Sequence, residues 1–164
     1  MTILFSEKQR FTQWWLWLII GLVVLDPLYM IIRKPGLRDW ATFLPVNVGI
    51  PLLIFIFFRV LCLHTRIGPG GISVRFSPFH RKWRFFSRED IRGVSVRKYR
   101  PLLEYGGWGL RYGLSGKGRA YTVSGNMGIQ IIFRDGRKLL IGTRHAADAL
   151  QALQDAAFPE AIIV

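Results

Sequence analysis

Between Trp14 and Leu25 the chain reads WWLWLIIGLVVL, without one polar side chain, and after Asp26-Pro27 the apolar run resumes as LYMII. A second charge-free run extends from Trp40 to Phe58, is interrupted by Arg59 and continues as VLCL. A helix needs about 20 residues, at roughly 1.5 Å each, to cross the hydrocarbon core of a bilayer. Both runs reach that length, so the pattern predicts a two-helix transmembrane hairpin with spans over residues 11–32 and 43–63. A cleaved signal peptide would place small residues after an apolar core of about 7–15 residues. The DPLYMIIRK that follows Leu25 offers no such site. Asp26 is the sole acid within a predicted span, and beside Pro27 it reads as a kink. A proton relay would need a second intramembrane carboxylate or histidine. Pro45, Gly49 and Pro51 in the second span suggest a bend or a close helix contact.

After Arg66 the pattern changes to alternation. Ile72, Val74 and Phe76 point one way while Ser73, Arg75 and Ser77 point the other, the signature of a half-buried strand. Further strands are predicted over Trp83–Phe86, around Val94 and Val96, over Leu110–Leu114 and Arg119–Val123, around Ile129–Phe133, and over Lys138–Ile141. Arg134-Asp135-Gly136 supplies a hairpin turn between the last two. Thr143 can cap a helix over residues 146–157, whose apolar stripe is Ala146, Ala149, Leu150, Leu153 and Ala157. The predicted fold class is therefore α+β. The membrane hairpin, with its N-terminal flank, occupies residues 1–63. A seven-stranded antiparallel barrel in meander order, capped by a C-terminal helix, occupies residues 64–164.

Composition adds charge to this picture. Hydrophobic residues make up 51% of 164 positions and mean hydropathy is +0.26, which excludes wholesale disorder, yet the formal net charge is +13. The linker between the runs carries Arg33, Lys34 and Arg38. The flanks carry Lys8, Arg10, Arg59, Arg66, Arg75, Arg81, Lys82 and Arg84. The positive-inside rule then places both termini in the cytoplasm. Residues 65–119 hold 13 Lys and Arg against 3 acids, whereas residues 120–164 are balanced at four of each. Anionic lipids of the inner leaflet attract basic residues by about 1 kcal/mol each. Arg75, Arg81, Lys82, Arg84, Arg97, Lys98, Arg100 and Arg111 are therefore the candidate contacts to lipid or to a partner. Trp83, Phe85, Phe86 and Trp108 read either as interfacial aromatics or as core.

Motifs for chemistry fail on inspection. Gly116-Lys117 is followed by Gly118, and Arg111 stands where a phosphate-binding loop needs its first glycine. Gly107-Trp108-Gly109 is not continued as a dinucleotide fingerprint. His64, His80 and His145 lack metal-ligand spacing, and Cys62 is the only cysteine, so neither a metal site nor a disulfide is expected. Glu89-Asp90 and Asp135 fall in turns and form no acid–base pair. No cofactor and no enzymatic activity are expected.

One string is more specific. Pro101, Leu102, Glu104, Tyr105-Gly106-Gly107-Trp108-Gly109 and Arg111-Tyr112-Gly113 are followed by Ala120-Tyr121, Ser124-Gly125-Asn126 and Leu140-Ile141-Gly142-Thr143. The string resembles a bacterial family that joins two N-terminal spans to a pleckstrin-homology-like domain. The resemblance implies that fold, a location in the bacterial inner membrane and a tendency to self-associate. It carries over no binding residue, and the roles of Tyr105, Gly106, Gly107, Trp108, Gly109, Ser124, Gly125 and Asn126 stay open between binding loop and structural hairpin. The function expected is a non-enzymatic, membrane-anchored module that contacts anionic phospholipid or scaffolds a membrane protein complex. The alternative is an accessory subunit of a membrane transporter or enzyme, held through the spans. Nucleic-acid binding has the charge but lacks a recognition helix or an RNP-type aromatic motif.

Overall fold

The computed structural model describes residues 2–11, 17–18, 21–23, 25, 29, 45–113, 116–159 and 161–163. The chain divides into two compact units, residues 1–10 with 61–164, and residues 11–60. The first unit opens with β1 (Phe5–Arg10), whose last residue pairs with Cys62, so the polypeptide leaves and re-enters this unit on adjacent strands.

In the 11–60 unit, Pro45–Gly49 forms a π-helical turn that continues into α1 (Ile50–Val60). Leu, Ile and Phe dominate α1, and Pro51, which has no N–H to give to the preceding turn, stands where π-helical pairing changes to α-helical. Within the same unit the Phe11 and Phe58 rings meet edge-on at 5.4 Å, as do Trp17 and Phe55 at 5.2 Å. Turn and helix together extend about 24 Å, short of the roughly 30 Å of a hydrocarbon core. Among the described residues no helix is long and apolar enough to cross a membrane.

The predicted transmembrane hairpin is thereby corrected, and with it the placement in an inner membrane with both termini cytoplasmic. Span 43–63 loses Cys62 and Leu63 to a strand, because their backbone groups find ladder partners in Arg10, Gln9, Ser77 and Phe76. Apolar composition alone does not reveal that competition. Most of span 11–32 and of the linker, Asp26 included, lies outside the described residues.

The rest of the first unit runs β2 (Cys62–Gly68), β3 (Gly71–Ser77), β4 (Arg84–Ser87), β5 (Ile91–Lys98), α2 (Pro101–Tyr105), β6 (Gly109–Tyr112), β7 (Arg119–Thr122), β8 (Met127–Phe133), β9 (Lys138–Thr143), α3 (Ala146–Asp155) and β10 (Ile162–Ile163). Strands β1-β2-β3-β4 form one sheet, and β10-β5-β8-β9-β7-β6 form the other. The expected seven-stranded antiparallel meander barrel is corrected on two counts. Ten strands are present among the described residues, and β7 pairs parallel with β9, as β10 does with β5. The β8–β9 hairpin inserts beside β7, a long-range choice that local alternation does not encode.

The two sheets pack face to face. Leu63, Ile67, Ile72, Val74 and Phe76 are buried from one side, and Val94, Val96, Ile129, Ile131 and Ile141 from the other. Phe86 meets Phe133 at 5.3 Å, and Phe76 stacks on Tyr121 at 6.4 Å. α3 packs against β1, β2, β5 and β8 and closes one end of the layer pair, burying Ala149, Ala152 and Leu153. Burial of Leu153 alone stabilises by about 1.5–3 kcal/mol. β1 adds polar ties to this core. Gln9 Nε2 donates to the Gly142 carbonyl at 2.7 Å, and the buried Glu7 carboxylate accepts from Thr143 Oγ1 at 2.6 Å and from the Arg144 amide at 2.9 Å.

Candidate functional site

Strand geometry sends alternate side chains to opposite faces. In β1 this turns Glu7 and Gln9 inward and Ser6, Lys8 and Arg10 outward. The ladder then aligns Lys8 with His64 and His64 with Arg75, and it aligns Ser6 with Arg66 and Arg66 with Ser73. The outer face of the four-stranded sheet thus carries Lys8, Arg10, Arg66 and Arg75 around His64. Glu7 is the sole carboxylate in its four strands, and it faces the core.

Two aromatics complete the face. Trp83 precedes β4, and the guanidinium of Arg66 lies 4.2 Å from its ring centroid, with that of Arg75 at 5.2 Å. The His64 ring approaches Trp83 edge-on at 6.0 Å. Phe85, paired opposite Ser73, is 48% exposed. The Trp83 ring thus sits against both guanidinium groups. Arg75 Nε is buried and makes no hydrogen bond within the protein. His64 reports the field of the group: burial and then the charges of Arg75, Lys8, Arg66 and Arg10 push its pKa below the usual imidazole value. Crowded cations of this kind are relieved by a neighbouring anion.

Of the residues named from sequence, Arg75 belongs to this face, and Arg81 and Lys82 are exposed in the loop leading to Trp83. Arg84 is turned to the inner side, where it donates to the Tyr121 hydroxyl at 3.1 Å. The other four are in the second sheet or beside it. Arg97 pairs with Glu104 at 3.0 Å, joined by Lys117 at 3.1 Å. Burial opposes ionisation of Glu104, but the Arg100 amide, Arg97 and Lys117 outweigh it and hold the carboxyl at about 2. Lys98, at the end of β5, and Arg100, just before α2, are exposed, and Arg111 Nε reaches the Trp108 carbonyl at 3.4 Å. The eight basic residues therefore do not converge on one patch.

The glycine-rich string has structural partners throughout. Tyr105 is buried with Tyr99, Ala120 and Leu140. Gly106 ends α2 at φ +67°, a left-handed conformation that favours glycine, and its amide returns to the Leu102 carbonyl. Gly107 and Gly109 also adopt positive φ. Trp108 Nε1 donates to Gly125 O at 3.0 Å, Ser124 Oγ accepts from Arg144 Nε at 2.7 Å, and Asn126 O accepts from the Tyr99 amide at 2.8 Å.

Lys8, Arg10, His64 and Arg66 are the members of the face that sequence reasoning did not assign to it. The signal was present as the alternation of FSEKQR, with Ser, Lys and Arg in one phase and Phe, Glu and Gln in the other. Among the described residues no cluster of His, Cys, Asp and Glu is placed to hold a metal. No protein-family model and no curated protein matches the chain, so the functional reading rests on geometry and charge.

Proposed function

We propose that the protein is a non-enzymatic docking module that lays the outer face of its four-stranded sheet on an anionic phospholipid surface. The observation that carries this reading is the acid-free row of Lys8, Arg10, Arg66 and Arg75 interleaved with Trp83 and Phe85. Basic residues near such a surface contribute about 1 kcal/mol each. Indole and phenyl rings favour the headgroup boundary. Single-stranded nucleic acid, which binds through successive stacked bases, is less favoured, because the Trp83 ring is covered by Arg66 and Arg75 and Phe85 is left as the exposed ring of this face. An accessory subunit held through two spans is not carried forward, because no described helix spans.

The test is cosedimentation of the full chain with vesicles of phosphatidylglycerol and phosphatidylcholine, or of phosphatidylcholine alone. Binding is expected to the anionic vesicles, and to weaken as salt rises. Replacing Lys8, Arg66 and Arg75 together by glutamine should reduce affinity by about 100-fold, given roughly 1 kcal/mol per charge. Unchanged affinity of this variant, or equal binding to neutral vesicles, would refute the reading.

A further inference from the structure

On the opposite edge of the same unit, a cleft of about 420 Å³ opens between β4 and β7 and extends to the β8–β9 turn. Its floor is apolar: Tyr121, Phe133 and Leu139 are buried beneath it, and the Phe86 ring forms a side. Its rim is cationic, with Arg84, Arg119, Arg137 and Lys138, and no carboxylate is among the described lining residues. The volume falls in the range of small-molecule sites, which combine apolar walls with a few convergent polar groups.

The four cations are not equally engaged. Arg137 is paired with Asp135 on its own turn. Arg84 is steadied by its bond to the Tyr121 hydroxyl. Because that hydroxyl accepts from Arg84, its own proton remains available to a ligand oxygen. Arg119 lies with its guanidinium 5.1 Å from the Tyr112 ring centroid, and among the described residues neither it nor Lys138 has a side-chain hydrogen bond or ion pair. The Tyr112 ring lies beside the Arg119 guanidinium and takes none of its N–H donors, which suits the group to an oxyanion. Gly118 shapes the wall. At φ +80° it runs so close to the Lys138 backbone that a Cβ would collide with it.

We propose that this cleft binds a phosphate monoester with a flat apolar body, the phosphate held by Arg84, Arg119 and Lys138 and the body lying over Tyr121 and Phe133. A bare inorganic anion would leave the aromatic floor uncovered, and a neutral aromatic would leave the cations unpaired. The shared chemistry could come from a soluble phosphate ester or from a lipid headgroup with the start of its chains.

His80 provides an internal reporter. Its ring meets Tyr121 at 5.5 Å, its Nδ1 is buried without a hydrogen-bond partner, and burial, followed by the charges of Arg84 and Arg119, holds its pKa below the usual value. A phosphate dianion between those two arginines offsets their charges, so the His80 pKa should rise on binding.

Calorimetry on the full chain, with phenyl phosphate, inorganic phosphate, benzyl alcohol and a short-chain phosphatidate as probes, tests the proposal. Phenyl phosphate should bind at least about tenfold more tightly than inorganic phosphate or benzyl alcohol, as expected when charged hydrogen bonds and ring burial add. Arg119→Gln with Lys138→Gln should abolish that advantage without moving the melting temperature, since both side chains are exposed. The His80 resonances should titrate at higher pH in the complex. Phosphatidate binding above phenyl phosphate identifies a lipid source, and the reverse order a soluble one; both support the site. No preference for phenyl phosphate over inorganic phosphate, an unaltered affinity in the double variant, or a stationary His80 titration would each overturn it. Lys8→Gln with Arg66→Gln should leave phenyl phosphate binding intact, which separates this site from the sheet face.

Discussion

Glu104 takes two cations out of the basic surface, since Arg97 and Lys117 are both committed to its carboxylate. Nothing in the order of residues distinguishes these two from the arginines that remain available. The partner is seven positions from Arg97 and thirteen from Lys117, and only the turn of α2 brings all three together. Arg84 illustrates the same limit. Its neighbours Arg81 and Lys82 suggest one exposed patch, but the strand period turns Arg84 to the inner side and onto Tyr121. Glu104 also predicts a pH dependence. Its folded pKa of about 2 lies below its ordinary value of 4.5, so its contribution is complete above 4.5 and is lost as pH falls towards 2. The melting temperature should fall across that window more steeply for the wild type than for Glu104→Gln. At neutral pH the variant should be less stable by about 1–3 kcal/mol. Parallel melting curves would show that the triad contributes nothing.

At the scale of elements, the apolar strands were legible and the polar one was not. β3, the middle of β5, the β8–β9 hairpin and α3 all follow from alternation or from a helical stripe, because each buries one face. β1 buries Glu7 and Gln9 instead, and a hydrophobic-pattern reading treats such a segment as a solvated flank. Its inward groups are satisfied only by Gly142, Thr143 and Arg144, more than 130 residues away in the chain. Residues 62–63 failed in the opposite sense, as apolar positions claimed for a helix and used in a ladder. If β1 is integral to the unit, Glu7→Ala with Gln9→Ala strands buried partners on β9. Urea denaturation should then show a loss of about 1–3 kcal/mol per site. A stability equal to the wild type would remove β1 from the folded core.

Across the whole molecule, the net charge of +13 divides among separate jobs. Part is neutralised within the protein around Glu104, part lines the inter-sheet cleft, and part spreads over the outer face of the four-stranded sheet. Sequence reasoning located the excess correctly in residues 65–119 but had no means of assigning it to faces, because strand pairing and the parallel β7–β9 contact are long-range decisions. It also joined Lys8 and Arg10 to a membrane flank, whereas the register places them beside His64 and Cys62. The central claim concerns which face meets an anionic bilayer, and line broadening from spin-labelled headgroups measures that directly. With the full chain on phosphatidylglycerol-containing nanodiscs, broadening should concentrate on Ser6, Lys8, His64, Arg66 and Arg75 and spare α2 and the outer side of β8. Broadening centred on α2 and the second sheet, or spread evenly over both sheets, would contradict the account.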